Sequence, residues 1–256
     1  MTWPKLIAHR GYAHRYPENT LAALQAAIDV GAHHVEFDVQ LTANRVPVVL
    51  HDVELKRATG VGGSVHESTD QALKALSAHE PQRLGDQFKG VGIPSLHEAC
   101  ELIAASPGVT GFVELKQESV DFFGQHESVR ATMDVVSRFP DFHRFVLISD
   151  HLDALVLARE SGWPSVGWIL DRWDEPSRRA AQDNGPQYLF ANVRKVPDSP
   201  TPFWPGPWRW AVYEIADAQA ALAWHQRGAD FIETFRVGEL MADPRWGQEG
   251  GADASV

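Results

Sequence analysis

Only one cysteine, Cys100, occurs in the 256 residues, so no intrachain disulfide can form and a disulfide-stapled scaffold is excluded. No apolar run approaches the roughly 18 residues of a membrane span. The N-terminal MTWPKLIAHRGY lacks a basic segment followed by a long apolar one, so no signal peptide is expected and the expected location is the cytoplasm. Basic residues are scarce: 23 Lys and Arg against 34 Asp and Glu give a net charge of −11. That balance argues against a nucleic-acid or anionic-membrane partner, both of which want a basic face. An anionic small molecule remains admissible, provided that local cations or a metal offset the field. Also missing are a G-x-S-x-G nucleophile elbow, a G-x-G-x-x-G after a strand and a Walker A loop. Gly (20) and Pro (16) are present in ordinary amounts, so the chain is neither collagen-like nor disordered.

What is present is an alternation of short apolar runs and helical stretches, the pattern of parallel strands with crossover helices. Extended runs are expected at 5–8, 33–39, 46–51, 111–116, 144–149, 165–170, 187–191, 208–215 and 230–234. Helices are expected at 19–30, 95–105, 127–139, 152–161, 175–184 and 217–227. Thr20 or Asn19 can cap the first, and Gly31 can close it. Ser95 and Glu98 fit a capping box. Only six residues (40–45) separate the second run from the third; a parallel crossover needs a dozen, so this pair must be a hairpin. The expected fold is therefore α/β: a (β/α)8 TIM barrel with one β-hairpin return strand. Residues 52–93, rich in glycine, read as a small insertion over the mouth. The prolines at 197, 200, 202, 205 and 207 disfavour a helix before the eighth strand. A single domain is expected over 1–246, with a flexible tail at 247–256. The oligomeric state is left open.

Catalytic barrels carry their chemistry at the C-terminal ends of the strands. Those ends hold His9 and Arg10, Glu36 and Asp38, His51 and Asp52, and Glu114 and Lys116. Spacing two on a strand points Glu36 and Asp38 the same way. Two unpaired carboxylates there cost several kcal/mol when buried, and a divalent cation removes that cost. With Glu114 as a third oxygen ligand, the set suits Mg2+ or Ca2+. A salt-bridge network with Arg10 and Lys116 is the other reading. His9 and His51 stand out from the twelve histidines because both end strands beside charged residues, where acid–base work is done. Arg10 and Lys116 suit a phosphate. Asp52 reads as a partner to the site or as a turn cap. Trp210 is expected to form an apolar wall for substrate.

The succession Ala8-His9-Arg10-Gly11, Pro17-Glu18-Asn19-Thr20, Glu36-Phe37-Asp38-Val39, Val48-Val49-Leu50-His51-Asp52 and Glu114-Leu115-Lys116 resembles the glycerophosphodiester phosphodiesterase family, from about Lys5 to Glu233. The resemblance implies a (β/α)8 barrel with an insertion after the His51 segment. It implies a divalent cation held by Glu36, Asp38 and Glu114, with His9 and His51 as general acid and base and Arg10 and Lys116 on the phosphate. The implied substrate is a small glycerophosphodiester, whose own glycerol hydroxyl attacks phosphorus before water opens the cyclic product. Two places depart from the family. W-T-V-N becomes Trp210-Ala211-Val212-Tyr213, and I-I-T-D becomes Ile232-Glu233-Thr234-Phe235. A lysophospholipase D-type or sphingomyelinase D-like activity and a non-enzymatic barrel are the alternatives.

Overall fold

The computed structural model describes residues 3–198 and 201–246. The chain order is β1 (Lys5–Ala8), α1 (Leu21–Asp29), β2 (His34–Leu41), β3 (Pro47–Val49), then short helices α2 (Lys56–Thr59), α3 (Asp70–Leu73) and α4 (Pro81–Leu84). It continues with α5 (Leu96–Ala104), β4 (Thr110–Leu115), α6 (Gln117–Phe123), α7 (Gln125–Val136), β5 (Phe145–Ser149) and α8 (Leu152–Glu160). The last elements are β6 (Val166–Leu170), α9 (Glu175–Asn184), β7 (Tyr188–Asn192), β8 (Arg209–Tyr213), α10 (Ala218–Gln226), β9 (Phe231–Thr234) and α11 (Val237–Met241). All strands except β3 pair in parallel, and β1 pairs with both β9 and β2. The eight parallel strands thus close into a barrel. β3 pairs antiparallel with the outer half of β2, Val39 opposite Val49, as so short a connection requires.

The period-2 pattern of β2 divides the protein into its two layers. Val35, Phe37 and Val39 face outward and join the apolar layer under the helices, with Leu24, Leu96 and Ile103. The other face looks into the barrel, whose interior is filled by Ile7, Phe112, Val146, Ile148, Phe190, Ala211 and Phe231. These side chains make the barrel a packed core and leave the chemistry to the mouth. Helix ends follow the side chains available: Thr20 accepts from the Ala23 amide at 3.2 Å, and Ser95 and Glu98 complete a capping box.

Residues 52–93 wrap a small apolar cluster of Leu55, Ala58, Val65, Leu73, Ala78 and Ile93, which also takes in Val48 and Leu50 from the return strand and its end. The insertion thereby grips the segment that carries His51. Between β7 and β8 no helix occurs among the described residues, in keeping with the prolines there. Pro200 and the predicted tail lie outside the described residues. Helices α2, α3, α4, α6 and α11 were not expected from the sequence; each spans four to seven residues, too few to show a period.

At the bottom of the barrel His34 meets Phe231 edge-on at 5.2 Å and lies 6.3 Å from Phe112. Burial, with Lys5 and His33 nearby, lowers its pKa from 6.5 to about 4. The unfolded chain therefore binds the proton more readily. Stability should fall as pH drops through 6.5 toward 4, by about 2 kcal/mol from this group at pH 5. Urea unfolding of wild type and His34→Gln at pH 7 and pH 5 checks this. The wild type should lose more midpoint between the two pH values, and equal losses would refute it.

Candidate active site

Each strand end delivers its residues for a local reason. Directly after β1 the chain turns sharply, with Arg10 at φ 55° and Gly11 at φ 75°. A Cβ on Gly11 would lie 2.5 Å from the Ala23 backbone, so only glycine lets the loop pass this close to α1. The turn aims the Arg10 amide at Glu36 Oε2 (2.9 Å) and brings the Arg10 guanidinium to Asp38 (3.0 Å) and Glu18 (2.9 Å). Asn19, also at positive φ, clasps Asp38 from both sides. Its amide donates to Asp38 Oδ2 at 2.7 Å, and its carbonyl oxygen accepts from the Asp38 backbone N–H at 3.0 Å. The choice of cap is thereby settled: Thr20 caps α1, and Asn19 holds a site carboxylate.

Glu36 and Asp38 are fully buried on the inner face of β2, next to Glu114 of β4. One oxygen of each offers a potential ligand within 4.8 Å of the others. Lys116 Nζ lies 2.6 Å from Glu114 and 3.5 Å from Asp38. The charges are unevenly matched. Burial pushes the Asp38 carboxyl up, yet Arg10 and Lys116 outweigh it and hold it well below the usual range. Burial, reinforced by Asp38 and Glu233, pushes Glu36 well above it. Burial also raises Glu114, against the pull of Lys116. Glu36 Oε1 and Asp38 Oδ1 are buried without a hydrogen-bond partner. Buried carboxylate oxygens are normally satisfied, so these two and Glu114 fit a hard divalent cation, which takes oxygen ligands.

His9 is buried, stacked on Phe235 at 4.2 Å between ring centres. Burial, then Arg10, lowers its pKa well below 6.5. His51 stands at the outer end of the return strand, partly exposed, with Nδ1 2.6 Å from Asp52 Oδ1. Asp52 is in turn 2.5 Å from Arg57 of the insertion, and its carboxyl is held low first by the His51 hydrogen bond and also by Arg57. Asp52 is therefore a partner of His51.

The structure brings His9, Arg10, Glu36, Asp38, Glu114 and Lys116 into one polar cluster. It places Trp210 elsewhere. That side chain leaves the outer face of β8, packs among Trp173, Phe203 and Trp204, and donates its indole N–H to the Trp204 carbonyl oxygen at 3.1 Å. The expectation that it walls the substrate is corrected: it lies one residue out of phase with the inward-facing Ala211 and Tyr213. Tyr213 is the aromatic of β8 that looks toward His9, at 6.3 Å.

Four contributors were not read as such from the sequence: Glu18, Asn19, Arg57 and Glu233. The first three act through contacts between distant segments, with Glu18 accepting from both Arg10 and Arg57. Glu233 was visible only as a departure. Its position two residues after the inward Phe231 is the clue that it faces the barrel, where it is buried beside Glu36 and His9.

The sequence profile of the Glycerophosphoryl diester phosphodiesterase family matches residues 9–187. The chain belongs to that family. Among curated relatives, it is 38% identical over 124 residues to a glycerophosphodiester phosphodiesterase of Caldanaerobacter subterraneus, covering 48% of this chain and 50% of the relative. It is 33% identical over 153 residues to one from Bacillus altitudinis, covering 60% of each. The chain thus spans about half to three-fifths of the length of these relatives. Among solved structures, an Oleispira antarctica phosphodiesterase in complex with the product sn-glycerol-3-phosphate superposes with a TM-score of 0.81 at 24% identity, over 93% of this chain and 96% of that one. At that identity the likeness speaks for the shared barrel.

Proposed function

We propose that this member of the family hydrolyses small glycerophosphodiesters to glycerol 3-phosphate and an alcohol. A divalent cation, Mg2+ or Ca2+, would be held by Glu36, Asp38 and Glu114. The observation that carries the reading is the set of buried carboxylate oxygens without partners, lying against two cations and a histidine at one barrel mouth. When bound, the cation supplies charge stabilisation to the phosphoryl oxygens. The side chains divide the remaining work. Arg10 and Lys116 hold the phosphate and offset the charge that grows on it. Burial keeps His9 neutral, the form that takes a proton from the attacking glycerol hydroxyl. Asp52 holds the His51 ring in place through Nδ1, and His51 gives a proton to the departing alcohol. In the second half the two exchange roles: His51 takes a proton from water as the cyclic phosphate opens, and His9 returns one to the glycerol oxygen.

Small diesters are favoured over lysophospholipids because, among the described residues, the exposed large apolar side chains are only Leu21, Val30, Val61 and Phe122, too few to line a groove for an acyl chain. The test compares alcohol release from glycerophosphocholine and from lysophosphatidylcholines of rising acyl length. Release should be fastest from glycerophosphocholine; a rate that rises with chain length would favour the lysophospholipase D-type reading.

A further inference from the structure

Glu233 stands where the family's pattern has an apolar residue, and it changes what the barrel mouth can hold. It is 4% exposed, His9 is 7% exposed and Glu36 is 0% exposed. One ligand-capable atom from each of the three lies within 4.8 Å of the other two. No lysine or arginine lies within ion-pair distance of Glu36 or Glu233 among the described residues, whereas Asp38 and Glu114 have Arg10 and Lys116. A second observation is independent of the acid cluster. His9 Nδ1 is buried without any hydrogen-bond partner, although buried ring nitrogens are normally paired.

We infer that His9, Glu36 and Glu233 form a second cation position, beside that of Glu36, Asp38 and Glu114, and that it takes a borderline divalent ion of the Zn2+ or Co2+ class. The two trios share only Glu36. Their donor chemistry differs: three oxygens suit Mg2+ or Ca2+, whereas an imidazole nitrogen with two carboxylates suits later transition metals. Occupation of the second position engages the His9 ring and withholds it from proton transfer. A borderline ion would therefore inhibit an enzyme that a hard ion supports. The inhibitory consequence rests on the proposed function; the binding does not.

The probe is Co2+, added to wild type and to Glu233→Gln in buffer holding saturating Mg2+. Binding is followed by visible d–d absorption and by equilibrium dialysis. Glutamine matches glutamate in shape and removes one buried carboxyl, and thermal melts verify that the variant folds. Wild type should bind one Co2+ in the presence of Mg2+, with Zn2+ displacing it. Glu233→Gln should bind Co2+ at least about tenfold more weakly while keeping its Mg2+ affinity. Equal Co2+ affinity in the two proteins would overturn the proposal. So would simple one-for-one competition between Co2+ and Mg2+, which means a single position. If Mg2+ itself does not bind, the metal reading of the first trio fails, while the Glu233-dependent Co2+ difference is still read directly.

Discussion

Replacing His51 or His9 with alanine is expected to lower turnover by about 10²- to 10⁴-fold, the range for loss of one general acid–base group. The two variants should differ in how they fail. His51 is partly exposed and touches Asp52 through Nδ1, so its loss removes little packing and the melting temperature should hold. His9 is buried against Phe235, so its loss leaves a gap and should cost some stability as well. Asp52→Asn should keep an intermediate rate, because an amide in its place still meets His51 Nδ1 but orients the ring less firmly than the carboxylate does. Initial rates for the three variants, with circular dichroism to verify folding, decide the matter. Near-wild-type turnover in both histidine variants would remove the acid–base assignment.

Substituting Glu36 should separate stability from function more sharply. Glu36 is fully buried with no lysine or arginine in ion-pair distance among the described residues, and its second oxygen has no hydrogen-bond partner there. Burial pushes its carboxyl well above the usual range, so at neutral pH holding it in the fold costs stability relative to the unfolded chain. In EDTA, Glu36→Gln should therefore be at least as stable as wild type. With Mg2+ or Ca2+ the order should reverse. Wild type gains by mass action, about 2.7 kcal/mol at a hundredfold excess over Kd, and the variant gains little. Thermal melts across a metal titration read both effects at once. A variant that melts lower than wild type in EDTA, or that shifts with metal as wild type does, would place the cation elsewhere.

Much of this was legible in the sequence because barrel strands obey a strict period. The alternation that sends Phe37 outward sends Glu36 and Asp38 inward, and the short link between β2 and β3 could only be a hairpin. The same rule, applied to β8, should have excluded Trp210: Ala211 and Tyr213 take the inner face and leave Trp210 on the outer one. Its bulk made it look like a pocket wall, but bulk does not override phase. The contacts that could not be read join distant segments. Asn19 reaches Asp38 across 19 positions and Arg57 reaches Glu18 across 39; neither leaves a periodic trace. Asn19 in particular sits where a helix cap is chemically reasonable, and only its left-handed backbone turns the amide toward β2 instead.

In the proposed function, a divalent cation on Glu36, Asp38 and Glu114 serves phosphodiester hydrolysis at this mouth. The most direct test is glycerol 3-phosphate release from glycerophosphocholine and glycerophosphoethanolamine, measured in parallel with EDTA, with added Mg2+ and with added Ca2+. EDTA should abolish release, and one of the two ions should restore it. Release that persists undiminished in EDTA, or no release with either ion, would contradict this reading.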